Sequence, residues 1–140
     1  MSPERVFLVL GAVSGLVGVA LGAFGAHALR ARLSPERLGQ LETGVRYQLW
    51  HALALFAVVS VGLVRFSHPS ASAELYVAEG DMAWPAALAG WLFVAGTVLF
   101  SGSLYALALT GKRRWGAVAP LGGTCFILGW VSLLLAAATV

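Results

Sequence analysis

Four apolar stretches, separated by short charged segments, occupy most of the 140 residues. They cover about 6–29, 45–64, 84–109 and 116–139, and each is long enough to cross a hydrocarbon layer of roughly 30 Å as an α-helix. Lipid offers no partner to an exposed backbone amide, so stretches of this length are expected to pair their own amides as helices. The sequence therefore predicts an all-α, integral membrane protein. Residues 1–140 form a single transmembrane domain, a four-helix bundle with short loops.

The composition excludes most soluble classes of protein. Hydrophobic residues make up 59% of the chain and charged residues 11%, whereas a soluble domain carries roughly a quarter charged residues. The basic residues are dispersed among loops and do not line one face with aromatics between them, so no nucleic-acid partner is expected. Cys125 is the only cysteine, which excludes an internal disulfide and predicts a small buried hydrophobe.

The first apolar stretch raises the question of a cleaved signal peptide, because Arg5 precedes it and Ala26-His27-Ala28 has the small-x-small pattern of a cleavage site. The run over residues 6–26 is longer than the roughly 7–15 residues of a signal-peptide core. We therefore expect it to be retained as the first span.

The distribution of basic residues predicts the orientation in the membrane. Only Arg5 and Arg65, together with four of the six acidic residues, lie near the N-terminus and in the segment after span 2. The other seven of the nine Lys and Arg residues flank the opposite ends of the spans. Lys and Arg concentrate in cytoplasmic loops. This pattern predicts a multi-pass protein of the bacterial inner membrane with both termini on the periplasmic side. The seven residues are Arg30, Arg32, Arg37, Arg46, Lys112, Arg113 and Arg114.

Small residues recur along span 1 at the spacing of a helix face. Such a stripe lets a second helix backbone approach closely, either within the bundle or in a dimer. The sequence predicts that membrane lipids surround the protein. It also predicts that the protein is a homo-oligomer or a subunit of a larger membrane complex. The packing residues are Gly11, Ser14, Gly15, Gly18, Gly22 and Ala26.

Two helix starts need interpretation. Ser34-Pro35-Glu36 repeats the pattern of Ser2-Pro3-Glu4, in which proline occupies the first helical position. Leu38, Leu41 and Val45 follow at helical spacing and predict a short amphipathic helix in the membrane interface, with a bend at Gly44 before span 2. Span 4 begins either at Trp115 or at Pro120, where Gly122 and Gly123 follow the proline.

Polar residues gather at one depth, in the half of the bundle nearest the basic loops. Polar groups that face lipid are unfavourable, so these should point toward one another or toward water. Three interpretations stay open: an internal hydrogen-bond network, a pocket for a lipid, quinone or small solute, and a bis-histidine haem or metal site. The candidate residues are His27, Gln48, His51, Ser101, Ser103, Tyr105, Gly122 and Gly123.

Catalysis finds little support in the sequence. Every Asp and Glu lies in a loop or near a terminus, so neither Ser101 nor Ser103 has a buried carboxylate to orient a histidine base. The chain has no phosphate-binding loop of the Walker type, and no set of three or four metal ligands is expected. We therefore predict a non-enzymatic structural or accessory membrane protein without catalytic residues, metal or cofactor, and binding or transport in the pocket is the alternative.

The combination of motifs resembles the YgdD-like family of small bacterial inner-membrane proteins, and the eukaryotic transmembrane protein 256 is similar. The resemblance covers all four spans in order, but not the loop 67–81 or the termini. It implies four transmembrane helices and an inner-membrane or mitochondrial location, and no activity, because the family is one of unknown function. The motifs are Gly22-Ala23-Phe24-Gly25-Ala26-His27-Ala28-Leu29, Glu42-Thr43-Gly44-Val45-Arg46-Tyr47-Gln48 with His51-Ala52-Leu53-Ala54, Phe100-Ser101-Gly102-Ser103-Leu104-Tyr105, and Pro120-Leu121-Gly122-Gly123 with Gly129-Trp130.

Overall fold

The computed structural model describes residues 1–64, 82 and 84–138, and the regular structure within these residues is helical. Two π turns extend or interrupt the helices, and one 3-10 turn precedes the last of them. In chain order the elements are α1 (Pro3–Phe24), a π turn (Gly25–Leu29), α2 (Pro35–Val64), α3 (Trp84–Gly96), a π turn (Thr97–Ser101), α4 (Gly102–Thr110), a 3-10 turn (Arg113–Ala117) and α5 (Ala119–Ala138).

The elements combine into four helical spans that are each long and apolar enough to cross a membrane. Helix α2 lies at the centre and contacts α1, α3, α4 and α5, while α1 packs mainly on α2 and α3 packs mainly on α5. The predicted four-helix bundle is confirmed. Most of the segment between the second and third spans lies outside the described residues. The spans are Pro3–Leu29, Pro35–Leu63, Trp84–Thr110 and Arg113–Ala138.

The repeated Ser-Pro-Glu pattern marks the start of both N-terminal helices. Helix α1 begins at Pro3 and α2 begins at Pro35. Proline has no amide hydrogen to leave unpaired, and its fixed φ already suits the first helical turn. The acidic residue that follows in each case, Glu4 or Glu36, lies in the first turn, where it interacts favourably with the helix dipole.

The predicted interfacial helix and the bend at Gly44 are wrong. Residues 35–44 belong to the same continuous helix as the rest of α2. Leu41 is 1% exposed and packs on α1 instead of lying on a membrane surface. Gly44 is a contact point, because a Cβ there would overlap the ring of Tyr105. Tertiary packing on α1 and α4 therefore keeps the segment in line with the span.

The structure decides between the two predicted starts of span 4. Trp115 lies in the 3-10 turn, and the α-helix begins at Ala119 with Pro120 in its first turn. The preceding helix, α4, ends at Thr110 and is followed by Gly111, whose φ of 69° is left-handed and whose backbone N–H donates to Leu107 O at 2.8 Å. Glycine adopts this conformation without the steric penalty of a side chain, so the chain can reverse sharply into the 3-10 turn.

The main apolar core lies between α2, α3 and α5, and Phe7 of α1 inserts into it. Phe7 and Phe93 are both fully buried. A Cβ on Gly90 would overlap the Phe7 ring, so this glycine makes room for the aromatic side chain. Phe7 also lies with its ring centroid 5.4 Å from that of Trp91, so its contacts with α3 tie α1 to the core at the end opposite the basic loops. The remaining buried members are Ala54, Leu55, Val58, Val59, Met82, Ala86, Ala89, Phe126, Leu133 and Ala136.

The small residues of α1 mostly face α2 of the same chain. A Cβ on Gly18 would overlap Leu49, and one on Gly22 would lie 3.3 Å from Val45. A Cβ on Gly11 would lie 3.1 Å from Ala52 O, whereas Gly15 has no described atom within 4 Å of that position. The backbone of Ser14 faces α2 as well, and the side chain of Ala26 is outside the description. The stripe is thus largely occupied by the neighbouring helix.

Helix α5 approaches the third span closely through Gly122. A Cβ on this residue would overlap the backbone and Cβ of Phe100, and rotation of a side chain could not remove that overlap. One residue later the situation differs, because a Cβ on Gly123 would lie 3.9 Å from the nearest atom of the Phe100 ring. The two adjacent glycines therefore differ sharply in what they tolerate.

We predict that Gly122→Ala destabilises the bundle by about 1–3 kcal/mol, because overpacking forces the helix backbones apart. Gly123→Ala is the matched control and should change the free energy of unfolding by less than about 0.5 kcal/mol. The measurement is reversible unfolding of the purified protein in mixed detergent micelles, followed by circular dichroism. Equal stability of the two variants would contradict the close contact at Gly122.

Candidate functional site

Gln48 occupies the centre of a polar cluster inside the bundle. Its side chain is 5% exposed, its Nε2 donates to Ser14 O of α1 at 2.8 Å, and its Oε1 accepts from Tyr105 OH of α4 at 2.8 Å. The side-chain amide of Gln48 thus donates to one neighbouring helix and accepts from another. At membrane depth water is not available to replace either partner. One side chain therefore links α1, α2 and α4.

His51 lies one turn further along α2 and faces α5. Its ring is 4% exposed, its Nδ1 lies 2.8 Å from Tyr47 O, and its Nε2 lies 3.2 Å from Trp130 Nε1. An indole N–H only donates, and a backbone carbonyl only accepts. Consequently Nδ1 carries the hydrogen and Nε2 carries the free electron pair. The imidazole is neutral in this arrangement, and both of its nitrogens are engaged.

Aromatic rings surround His51 on several sides. The imidazole stacks on Phe126 with a centroid distance of 3.5 Å and an interplanar angle of 9°. Phe93 and Trp130 lie with their ring centroids 5.4 Å and 6.1 Å from it, and Tyr47 packs 4.6 Å from Phe100. These contacts join α2 to the third span and to α5. The histidine is therefore a member of an aromatic layer and has no open face in it.

Phe126 and Trp130 line this cluster although neither was expected among its residues from the sequence. Their spacing of four residues places both on one face of α5, and that spacing was the available signal. A second signal was chemical, because a tryptophan N–H at membrane depth needs an acceptor and His51 is one of the few at the same level. Aromatic residues in membrane helices are so often lipid-facing that these signals do not by themselves single out this pair.

The predicted serines divide into a satisfied and an unsatisfied member. Ser103 is 3% exposed, and its hydroxyl donates to Phe100 O at 2.9 Å within its own span. Ser101 is fully buried in the π turn, and its hydroxyl has no hydrogen-bond partner among the described residues. Neither hydroxyl contacts His51 in a way that would activate it as a nucleophile.

Gly122 and Gly123, which were candidates for lining a pocket at the start of span 4, pack against the third span instead. Gly122 is buried against the backbone of Phe100, and Gly123 lies against the edge of the same ring. The amide of Leu121 donates to Val118 O at 3.1 Å, so the preceding turn already satisfies part of the helix start. Gly122 and Gly123 thus act as contact surfaces for the third span.

The expected meeting of His27 and His51 is wrong. His27 lies in the π turn after α1 and is exposed. Gly25, two residues earlier, is opposite Leu41 of α2. Ten residues separate Leu41 from His51, which corresponds to about 15 Å along the helix axis. His27 is therefore well removed from the cluster around Gln48 and His51.

This arrangement has consequences for ligand binding. A haem or metal would need an unengaged imidazole nitrogen, and Trp130 already donates to the free electron pair of His51. Within the described ranges, no three side chains of the His, Cys, Asp or Glu type converge to hold a metal ion. The residues present favour mutual hydrogen bonding of the spans.

Comparison with known proteins places the chain in a family. Residues 21–123 match a protein family described as "Protein of unknown function (DUF423)". The chain is 41% identical over 133 residues to UPF0382 membrane protein YwdK of Bacillus subtilis, a match that covers 95% of this chain and 96% of the relative.

Two further relatives show the same extent of similarity. UPF0382 membrane protein SERP0230 of Staphylococcus epidermidis is 41% identical, with 94% of each chain covered. UPF0382 inner membrane protein YgdD of Escherichia coli is 40% identical over 96% of this chain and 90% of its own length. No solved structure matches the chain. The resemblance seen in the motifs is confirmed, and the chain belongs to the YgdD-like family of multi-pass membrane proteins of unknown function.

Proposed function

We propose that the protein is a non-enzymatic structural or accessory component of the membrane. The observation that supports this most directly is the hydrogen bonding of Gln48 and His51. Both side chains use their donors and acceptors on backbone or side-chain groups of the bundle. A catalytic amide or imidazole would instead need a group free to meet a substrate.

The hydrogen bonds of this cluster stabilise the contacts between helices. Hydrogen bonds between membrane helices contribute about 0.6–2 kcal/mol each. Gln48 makes two of them, to α1 and α4, and the Trp130 N–H adds a third between α5 and α2. Binding or transport of a lipid, quinone or small solute would require these bonds to be exchanged for bonds to the ligand. The contacts offer no support for that alternative.

A double-mutant cycle tests the structural role of the cluster. We expect Gln48→Leu and Tyr105→Phe to couple by about 0.6–2 kcal/mol in the free energy of unfolding, because each variant removes one partner of the same bond. Reversible unfolding in mixed micelles gives the four values needed. Thr124→Val is the control partner, since the Thr124 hydroxyl donates only to Pro120 O of its own helix and its effect should add to that of Gln48→Leu. A coupling near zero between Gln48 and Tyr105 would contradict the proposal.

We place the protein in the bacterial cytoplasmic membrane with both termini on the periplasmic side. Seven of nine basic residues lie at the ends joined by the first and third connections. Positive charge of this kind is retained in the cytoplasm during insertion. The name of the Escherichia coli relative, an inner membrane protein, is consistent with this location.

The orientation predicts which positions react with a reagent that cannot cross the membrane. In a Cys125→Ala background, Ser2→Cys should be labelled by an impermeant maleimide on intact spheroplasts. Lys112→Cys should be labelled only after the membrane is opened. The two positions act as controls for each other, and the reverse pattern would place the termini in the cytoplasm.

We further propose that the protein works as a homo-oligomer or as a subunit of a larger membrane complex, with the outer face of α1 as the contact surface. Of the 18 most apolar consecutive residues of the α1 span, 17% are buried inside the bundle. The corresponding share for the α2 span is 50%. Leu16 and Val19 are 72% and 62% exposed on this face. The inner face of α1 is occupied by α2, so a partner would meet only the outer one.

Photo-cross-linking in native membranes tests this proposal. A photoreactive amino acid at Leu16 should give a discrete cross-linked protein product, whose mass distinguishes a second copy from another subunit. Leu134 of α5 is 68% exposed and serves as the matched control position. Recovery of monomer alone from both positions would contradict an assembly through α1.

A further inference from the structure

The connection between α4 and α5 presents three consecutive cations. Lys112, Arg113 and Arg114 are all exposed. They follow the left-handed Gly111 and run into the 3-10 turn that begins at Arg113. Three adjacent positive charges in water repel one another, so such a cluster is a good site for an anion that neutralises them.

The turn that carries these cations is held in place by packing and hydrogen bonds. The backbone N–H of Trp115 donates to Lys112 O at 3.1 Å, and the backbone N–H of Lys112 donates to Thr110 Oγ1 at 3.3 Å. A Cβ on Gly116 would lie 3.5 Å from Leu107, which shows that the turn lies directly against α4. The cations are therefore displayed from an ordered segment, which reduces the entropy lost when a ligand binds.

The three cations differ from Arg37 in how their charges are used. Arg37 donates from Nε to Ala108 O at 2.5 Å and from an Nη to Leu109 O at 2.6 Å, and so caps the end of α4. In the part of the chain that the structure describes, no hydrogen bond or ion pair engages the side-chain nitrogens of Lys112, Arg113 or Arg114. The Arg114 guanidinium lies 5.7 Å from the centre of the Trp115 ring, a contact that leaves its N–H groups available.

Apolar residues on both sides of the turn indicate what kind of anion fits. Leu109, before it, is 54% exposed, and Leu121, after it, is 61% exposed. Trp115 lies between them and is half-buried, as is typical of an indole at the boundary between headgroups and acyl chains. A ligand that satisfies the whole surface needs a negative headgroup joined to hydrocarbon.

We propose that Lys112, Arg113 and Arg114 bind the phosphate of an anionic phospholipid, with Trp115 at the glycerol level and the acyl chains along Leu109 and Leu121. This site does not depend on the proposed structural role, nor on which leaflet the turn faces. Each basic residue near an anionic membrane surface strengthens binding roughly fivefold. Neutralising all three residues should therefore weaken binding by roughly a hundredfold.

Native mass spectrometry of protein released from bilayers tests the site. The full chain is reconstituted in phosphatidylglycerol mixed with phosphatidylcholine, and the retained lipids are counted. The wild type should retain phosphatidylglycerol in preference to phosphatidylcholine. The variant Lys112→Gln/Arg113→Gln/Arg114→Gln should lose that preference, with unchanged helical content by circular dichroism.

The control is Arg30→Gln/Arg32→Gln, which removes two exposed charges from the same end of the bundle. It should keep most of the retained phosphatidylglycerol. An equal loss in both variants would show a diffuse effect of charge and overturn a site at the α4–α5 turn. Retention by the triple variant would overturn it directly.

A second measurement separates a lipid from a free anion and does not rely on release into vacuum. Brominated phosphatidylglycerol should quench the tryptophan fluorescence of the wild type more strongly than brominated phosphatidylcholine does. This additional quenching should disappear in Trp115→Phe. Inorganic phosphate at cellular concentration should leave the excess quenching unchanged. Its removal by phosphate would identify a free-anion site and overturn the proposal of a lipid.

Discussion

The interior of a membrane provides no water to satisfy a polar side chain, and this constraint explains how the bundle is arranged around Gln48. The amide of Gln48 has both donors and acceptors, so it needs partners of two kinds in the same place. It finds a carbonyl on α1 and a hydroxyl on α4. These two bonds fix the rotation of α2 relative to both neighbours, because turning α2 would leave the amide in contact with lipid.

The aromatic layer extends the same logic to α5. Trp130 is 49% exposed, yet its polar N–H points inward to His51. The Nδ1–H of His51 in turn donates to the carbonyl of Tyr47, and a carbonyl oxygen has two lone pairs with which to accept hydrogen bonds. Ring stacking on Phe126 adds dispersion contact to this hydrogen bond. A second set of side-chain contacts, next to the hydrogen bonds of Gln48, therefore links α2 to α5.

The sequence predicts the parts of this structure that depend on length and polarity. Apolar stretches of membrane length predict the four helices, and the burial of Gln48, His51, Ser101 and Ser103 follows from the unfavourable exposure of polar groups to lipid. The partners of these residues depend on the rotation of each helix, which the apolar pattern leaves undetermined because core and lipid are equally apolar. This is why His27, on the same span as Ser14, was expected in the cluster and is exposed instead.

Segment boundaries were harder to predict for a related reason. Residues 35–44 carry charges and read as a separate element, but packing of Leu41 on α1 continues the helix through them. The apolar spacing of Leu38, Leu41 and Val45 suits a contact with a neighbouring helix as well as a contact with a membrane surface, so the pattern alone does not decide between them. The two starts predicted for span 4, Trp115 and Pro120, lie five residues apart, and α5 begins at Ala119, next to Pro120. Proline marks this position because it is accepted in a first turn and disrupts a helix interior.

The π turn at Thr97–Ser101 has a consequence for how chain length can vary within a span. A π turn accommodates one more residue than the α-helix would in the same rotation, so α3 and α4 each present their proper face despite the additional residue. Loss of one residue from an ordinary α-helix turns everything beyond it by about 100°. Loss of one residue here would instead restore a regular helix and leave Tyr105 facing Gln48. The third span thus contains a place where a single-residue deletion is compatible with the same bundle.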